Sequence, residues 1–165
     1  MKFNTKTIHG GQKLEATTGS VIPPVFMTST YAHSSPGEPQ EYEYSRGGNP
    51  TRTALENSFA SIENGTHGFA FSSGMAAIDC VLRTLNPGDE VIAGDDLYGG
   101  TYRMFTRLFQ KYGLEFTYVD MNAVANVTHA VTEKTKLVWI ETPTNPLMKI
   151  ADIEAICTAV KEVNN

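Results

Sequence analysis

The sequence has little cysteine, no run of basic residues and no long apolar stretch. Its two cysteines, Cys80 and Cys157, are too few for a disulfide framework, and neither they nor the four histidines form a metal-ligand pattern. Both cysteines fall in predicted helices beside apolar neighbours, which predicts buried thiols. No apolar stretch approaches the roughly 18 residues that a membrane span needs. We therefore expect no metal site, no membrane contact and a cytoplasmic protein.

Charge and composition further limit the functions and the type of protein that we expect. The 165 residues carry a formal net charge of −5, and lysine and arginine are scattered, so we expect no nucleic-acid partner. Residues 1–12 are polar and contain no hydrophobic segment, which argues against a secretory signal. With 41% hydrophobic residues, the chain can bury a sizeable core.

Residues 5–41 show no sustained helical or alternating period, and glycine and proline interrupt them repeatedly. This predicts a long irregular arm, and an arm of this length usually covers a site or another subunit. A helix is predicted over residues 51–64, with Leu55, Phe59 and Ile62 on its buried face and Pro50 in its first turn. Arg46 lies in the glycine-rich turn before this helix, where it is either a solvated charge or a ligand for phosphate or carboxylate.

From residue 68 onward, predicted strands alternate with predicted helices. The pattern predicts strands over 68–71, 90–93, 114–119 and 137–140, and helices over 75–85, 100–112, 123–131 and 153–163. The strands at 90–93 and 137–140 are nearly continuous apolar runs, which are typical of strands covered on both faces. We therefore predict an α/β fold, a three-layer α/β/α arrangement around a mostly parallel sheet.

The first strand runs into the turn Ser72-Ser73-Gly74 and then a helix. The first N–H groups of such a helix have no internal partner, and Gly74 has no side chain to keep an anion from the backbone. The turn is thus a candidate phosphate cradle, although serine and glycine at a helix start also suit a plain N-cap.

Two further strand ends carry unusual residues, and the carboxyl ends of parallel strands are where ligands bind. Tyr98 follows the second strand, and Glu141 and Asn145 follow the last. Together with the cradle they could hold a flat, phosphorylated aromatic cofactor. Tyr98 and Asn145 also have plain readings, because Tyr98 could pack a loop and Asn145 could be a turn residue. Glu141 could be a hydrogen-bonding partner that supports the site or just a capping carboxylate.

These segments resemble the motifs of a known enzyme family. The sequence resembles the pyridoxal-phosphate enzymes of cysteine and methionine metabolism, which include the cystathionine γ-synthases, γ-lyases and β-lyases and the methionine γ-lyases. The resemblance covers nearly the whole chain and rests on four motifs in family order: Tyr44-Ser45-Arg46-x-x-Asn49-Pro50-Thr51, Phe71-Ser72-Ser73-Gly74-Met75-Ala76-Ala77, Asp96-Leu97-Tyr98-Gly99-Gly100-Thr101 and Trp139-Ile140-Glu141-Thr142-Pro143-Thr144-Asn145-Pro146.

The resemblance implies roles for these residues. The cofactor would be pyridoxal 5'-phosphate, in the large domain of a fold-type I transferase. Tyr44 and Arg46 would reach the phosphate in a neighbouring subunit, and Glu43 would lie near the substrate. Ser73, Gly74 and Met75 would bind the phosphate. Tyr98 would stack on the pyridine ring and is the candidate catalytic residue, Asn145 would lie near the ring hydroxyl, and Glu141 is a further candidate cofactor-binding residue.

The resemblance also implies an assembly and a reaction. Residues 1–50 would be an arm reaching a neighbouring subunit, and residues 51–165 the first part of the cofactor-binding domain, within a homotetramer built from dimers that share active sites. We expect a transsulfuration enzyme acting at the γ-carbon of a sulfur amino acid or an O-substituted homoserine, as γ-synthases and γ-lyases do. A β-lyase and a methionine γ-lyase are the alternatives within the family.

Family members run to roughly twice the length of one such domain. The family's Schiff-base lysine, its pyridinium-pairing aspartate and its substrate-carboxylate arginine have no counterpart in these 165 residues. We therefore expect the chain to be the first part of a subunit, which would assemble with the C-terminal remainder and be inactive alone. The alternative is a non-catalytic binding or assembly module.

Overall fold

The computed structural model describes residues 1–38 and 40–163. Pro39, one of the predicted interruptions of the arm, lies outside them, as do Asn164 and Asn165 at the end of the predicted second domain. The chain forms two compact units, Met1–Phe71 and Ser72–Asn165. The predicted division at residue 50 was defined by contact with a neighbouring subunit, so it stays a prediction.

The first unit contains two helices, α1 (Phe3–His9) and α2 (Pro50–Ile62). The expectation of an arm without helix from residue 5 was wrong for α1. The segment after α1 runs close to α2, since a Cβ at Gly11 would lie 2.1 Å from the carbonyl oxygen of Asn57. The φ of Gly11 is +71°, a conformation that glycine adopts readily. Glycine at this position therefore permits the close approach of the arm to α2.

The rest of the arm is irregular, as predicted, and it folds back on itself. Thr30 and Tyr44 form an isolated antiparallel bridge. The N–H group of Tyr31 donates to the carbonyl of Glu43 at 3.1 Å, and the N–H group of Ser45 donates to that of Ser29 at 2.8 Å. These bonds hold the turn that carries Tyr44 against the preceding segment.

The predicted buried face of α2 is only partly correct. Leu55 and Phe59 are 47% and 56% exposed, whereas Ile62 is half-buried. Apolar periodicity shows which face of a helix needs cover, but the described residues do not supply cover for these two side chains.

The second unit is built on a three-stranded parallel sheet in the order β2-β1-β3. Its helices and strands, in chain order, are α3 (Gly74–Leu82), β1 (Glu90–Gly94), α4 (Gly99–Arg107), a 3-10 helix (Phe109–Tyr112), β2 (Glu115–Val119), α5 (Val124–Ala130), β3 (Thr135–Trp139) and α6 (Ile153–Val163). The predicted α/β fold with a parallel sheet is therefore confirmed.

The side chains of β1 alternate between two cores, because successive residues of a strand point to opposite faces. Val91 and Ala93 pack in a cluster with Phe105 of α4, and Ile92 packs in a second cluster with Val127 of α5 and Ile156 of α6. All five residues of β1 are buried. The continuous apolar run predicts this for Val91, Ile92 and Ala93. The sheet thus has a helical layer on each face.

Two predictions for the chain from residue 68 onward were wrong. Residues 68–71 form no strand within the described part of the chain, and Phe69 is 76% exposed. A strand needs a neighbour for its backbone hydrogen bonds, and none of the three strands pairs with this segment. Cys80 and Cys157 are exposed rather than buried, because they lie on helix surfaces that the described residues leave uncovered.

No helix among the described residues is both long enough and apolar enough to cross a membrane.

Candidate functional site

The predicted phosphate cradle lies at the start of α3. Ser73 is the N-cap of this helix, and its hydroxyl oxygen accepts the N–H group of Ala76 at 3.2 Å. The N–H groups of Gly74 and Met75 are the first two of the helix and have no acceptor within it. A Cβ built on Gly74 would meet no atom within 4 Å. The corner therefore presents free donors beside open space.

Tyr98 and Met75 meet at Gly100. A Cβ at Gly100 would lie 2.4 Å from Cε1 of Tyr98 and 2.8 Å from Sδ of Met75. Gly100 is buried, whereas Tyr98 is 46% exposed. The absence of a side chain at Gly100 therefore lets the tyrosine ring lie next to the residue that follows the glycine corner.

Glu141 connects the end of β3 to the start of α4. Its Oε2 atom accepts the backbone N–H of Tyr98 at 2.8 Å, and its Oε1 atom accepts the hydroxyl of Thr101 at 2.8 Å. The indole N–H of Trp139 also donates to Oε1, at 3.2 Å. These contacts place the Glu141 carboxylate at the start of α4, and its role toward the cofactor stays a prediction.

Asn145 lies in the loop after β3, and a buried carboxylate organises that loop. Asp96 accepts the hydroxyl of Thr144 and, at 2.9 Å, the N–H group of Leu147. Asp96 and Thr144 are each only 7% exposed, whereas Asn145 is exposed. The loop therefore presents the Asn145 side chain outward from a fixed base.

Lys149 joins the carboxyl ends of two strands. Its Nζ lies 2.8 Å from Asp95 Oδ2, after β1, and 3.6 Å from Asp120 Oδ1, after β2. The hydrogen bond to Asp95 is the main cause of a raised pKa of Lys149. Within residues 1–38 and 40–163, no group of three His, Cys, Asp or Glu side chains could hold a metal ion.

In the first unit, Tyr44 and Arg46 lie side by side. The guanidinium carbon of Arg46 is 5.0 Å from the centroid of the Tyr44 ring, a cation–π distance, and both side chains are exposed. Glu43 is also exposed, and its Oε1 atom lies 3.9 Å from Nε2 of His33. The three predicted residues of this segment therefore share one outward-facing turn.

Two residues at the start of α2 hold this turn. Asn49, the N-cap, accepts the N–H of Thr51 at 2.9 Å and donates to Ser45 Oγ at 3.0 Å. Arg52 donates to the carbonyls of Ser45 at 3.2 Å and Gly47 at 2.7 Å. Sequence reasoning gave neither residue a role, although an Asn-Pro pair before an apolar period is a recognisable helix-start signal.

These observations fit pyridoxal phosphate. The Ser73–Gly74–Met75 corner offers N–H donors, a hydroxyl and open space to a phosphate, and the exposed Tyr98 ring beside it offers a flat aromatic face. The structure thus brings together Ser73, Gly74, Met75, Tyr98 and Glu141 in the second unit, and Glu43, Tyr44 and Arg46 in the first. The cofactor roles of these residues and of Asn145 stay predictions.

Comparison with known proteins identifies the family. Residues 4–165 match the sequence profile of the Cys/Met metabolism PLP-dependent enzymes. A cystathionine beta-lyase of Coxiella burnetii is 49% identical over 163 residues, which are 98% of this chain and 42% of that protein. A probable cystathionine gamma-synthase of Herpetosiphon aurantiacus is 48% identical over 97% of this chain and 50% of its own length.

A solved structure gives the same result. The cystathionine gamma-lyase from Lactobacillus plantarum complexed with L-serine matches with a TM-score of 0.91 and 46% identity, over 99% of this chain and 43% of that one. The chain thus spans half or less of the length of these relatives. Pyridoxal phosphate is the cofactor of the matched family, and the chain belongs to the PLP-dependent enzymes of cysteine and methionine metabolism.

Proposed function

We propose that the protein containing this chain is a transsulfuration enzyme that acts at the γ-carbon of a sulfur amino acid or an O-substituted homoserine, as a cystathionine γ-synthase or γ-lyase does. The observation that carries the enzyme class is the pairing of a donor-rich glycine corner with the exposed Tyr98 ring across Gly100. The γ-position rests on the family resemblance and on the exposed Glu43 next to Tyr44, where γ-acting relatives tend to carry an acid near the substrate. When bound, pyridoxal phosphate would supply an electron sink that stabilises negative charge developing at the α-carbon of the amino acid.

The residues of this chain would bind and orient that group. The N–H groups of Gly74 and Met75 and the hydroxyl of Ser73 would hold the phosphate, which a helix N-terminus also attracts electrostatically. The Tyr98 ring would cover one face of the pyridine ring and exclude water from it. Asn145, on the loop fixed by Asp96, would donate to the ring hydroxyl.

The exposed turn at residues 43–46 fits the shared-site assembly expected from the family. Tyr44 and Arg46 would reach the phosphate bound by a neighbouring subunit, and Glu43 would face the substrate there. Mixing two inactive variants tests this arrangement. If equal amounts of an Arg46→Ala chain and a Gly74→Asp chain exchange subunits at random, half of the dimers are mixed and each mixed dimer has one intact site. We therefore expect about one site in four of the whole population to regain cofactor binding. No recovery after verified exchange would place both residues in one subunit's site.

A β-lyase is the second candidate, and the 49% identity to a cystathionine beta-lyase favours it. Product analysis on cystathionine separates the two reactions. Cleavage at the γ-carbon yields cysteine, 2-oxobutyrate and ammonia, whereas cleavage at the β-carbon yields homocysteine, pyruvate and ammonia. Formation of pyruvate and homocysteine alone would overturn the γ-assignment in favour of the β-lyase.

The synthase and the lyase are separated by a second assay. An O-substituted homoserine supplied with cysteine should yield cystathionine if the protein is a synthase, and cystathionine alone should be cleaved if it is a lyase. The test uses the full-length protein reconstituted with pyridoxal phosphate. If no visible absorption band of a protein-bound cofactor appears, the enzyme proposal fails, and a non-catalytic assembly module becomes the better explanation.

A further inference from the structure

We infer that Glu141 is a positioning residue for Tyr98. It fixes the backbone of Tyr98 and the first turn of α4, and through them the angle at which the tyrosine ring stands beside the glycine corner. This inference rests on the proposed function, because the pyridine ring of the cofactor is the group that Tyr98 would cover.

Three groups donate to Glu141: the N–H of Tyr98 to Oε2 at 2.8 Å, and to Oε1 the hydroxyl of Thr101 at 2.8 Å and the indole N–H of Trp139 at 3.2 Å. An ionised carboxylate is an acceptor at both oxygens, so it satisfies all three donors. A glutamine would instead turn an NH₂ group toward one of them.

Thr101 is fully buried, so its hydroxyl needs an acceptor inside the protein, and Glu141 provides it. The carboxylate also lies at the N-terminus of α4, where the helix dipole favours negative charge. Glu141 therefore holds α4 at the two residues that flank Gly99 and Gly100.

Tyr98 is the N-cap of α4, its side chain makes no capping hydrogen bond, and it is 46% exposed. Its contact on the inner side is the bare backbone of Gly100. Because the ring is nearly half exposed and lies beside Gly100, its direction depends on the backbone position of Tyr98, which the hydrogen bond to Glu141 fixes.

This assigns Glu141 a role that differs from direct contact with the cofactor. Both of its oxygens already accept hydrogen bonds from the protein. Replacing it should therefore affect the cofactor only through Tyr98, which makes the inference testable by a double-mutant cycle.

The experiment measures the dissociation constant of pyridoxal phosphate for the full-length protein and for Glu141→Gln, Tyr98→Ala and the double variant. We expect Glu141→Gln to raise the constant about tenfold, the equivalent of 1.4 kcal/mol. In the Tyr98→Ala background, Glu141→Gln should cause no further change. Glu133→Gln, at an exposed glutamate, is the matched control and should leave the constant unchanged.

Two further readouts separate positioning from general damage. Inorganic phosphate should bind the glycine corner of Glu141→Gln as it binds that of the unmodified protein, because the corner itself is unchanged. The emission of Trp139 in the cofactor-free protein, isolated by subtracting the spectrum of Trp139→Phe, should shift in Glu141→Gln and not in Glu133→Gln. If Glu141→Gln does not fold, Thr101→Val removes one donor and should act in the same direction.

Additive effects of Glu141→Gln and Tyr98→Ala, or a parallel loss of phosphate binding, would overturn the inference. Failure of the proposed function looks different, since the unmodified protein would then bind no pyridoxal phosphate. In that case the Trp139 emission shift would still show whether Glu141 holds this end of the sheet.

Discussion

The carboxylate of Glu90 accepts the hydroxyl of Thr135 at 2.7 Å, between the amino ends of the paired strands β1 and β3. The hydroxyls of Thr117 at 2.6 Å and Thr132 at 2.7 Å donate to the same carboxylate. Glu90 is only 8% exposed. Three threonines therefore stabilise one buried charge at the end of the sheet opposite the candidate site.

The first prediction concerns the stability of the fold at acidic pH. Burial alone would raise the pKa of Glu90, but the hydrogen bonds from the three threonines outweigh it and lower the pKa below its ordinary 4.5. Because the folded pKa is the lower one, Glu90 stabilises the fold above about pH 4.5, and this contribution is lost as the pH falls through the folded pKa.

The measurement is the free energy of unfolding of the full-length protein and of Glu90→Gln across this pH range. We expect Glu90→Gln to cost about 2 kcal/mol at neutral pH, the scale of hydrogen bonds to a charged group, and the difference to shrink in acid. Glu133→Gln should show no such trend. A constant difference at all pH values would mean that the charge of Glu90 has no part in the effect.

The second prediction concerns Tyr118 in β2. Among the described residues its hydroxyl is buried without a hydrogen-bond partner, and burial, with a smaller effect of Tyr102, raises its pKa to about 12. Removing an unsatisfied hydroxyl should relieve its desolvation, so Tyr118→Phe should stabilise the fold by about 1 kcal/mol. Thermal unfolding checks this, with Tyr112→Phe, at a 63% exposed tyrosine, as the control. Destabilisation by Tyr118→Phe would show that the hydroxyl has a partner in the full protein.

The sequence predicted the alternation of helices and strands because local signals carry it. The apolar run Val91-Ile92-Ala93 is buried on both faces, as such runs in parallel sheets are. Residues 68–71 have a similar run but form no strand, because strand formation also depends on a neighbour that no local pattern reveals. The same limit explains why Cys80 and Cys157 are exposed, since apolar neighbours indicate a surface that needs cover but do not supply it.

In the candidate site, too, local features could be predicted from the sequence, whereas contacts between distant residues could not. The corner at Ser73 and Gly74 could be predicted because a helix start is a local feature. The role of Glu141 could not be predicted in detail, because its partner Tyr98 is 43 positions away and the hydrogen bond depends on the packing of α4 against β3. The role of Asp96 in fixing the loop after β3 was not predicted for the same reason, since its hydrogen bond to Leu147 spans 51 positions.

The third prediction uses two neighbouring glycines. A Cβ at Gly100 would lie 2.4 Å from the Tyr98 ring, whereas one at Gly99 would meet only the end of the Arg103 side chain, at 3.3 Å. Gly100→Ala should therefore displace the ring and weaken pyridoxal phosphate binding by about tenfold, or 1.4 kcal/mol. Gly99→Ala, the matched control, should bind the cofactor nearly as the unmodified protein does. If both substitutions weaken pyridoxal phosphate binding equally, the cause is a change in helix α4 and not a displacement of the Tyr98 ring.

The last prediction separates folding from binding at Gly74. A Cβ here would meet no protein atom within 4 Å, and alanine is favoured over glycine in helices by up to about 1 kcal/mol. Gly74→Ala should therefore fold at least as stably as the unmodified protein. The new methyl group would, however, occupy the space in which a phosphate approaches the N–H groups of Gly74 and Met75.

We therefore expect Gly74→Ala to raise the dissociation constants of pyridoxal phosphate and of inorganic phosphate together, while the melting temperature stays level or rises. This combination distinguishes the corner from Tyr98, because Gly100→Ala should weaken the binding of pyridoxal phosphate more than that of inorganic phosphate. If Gly74→Ala binds both anions as tightly as before, the phosphate does not bind at the start of α3.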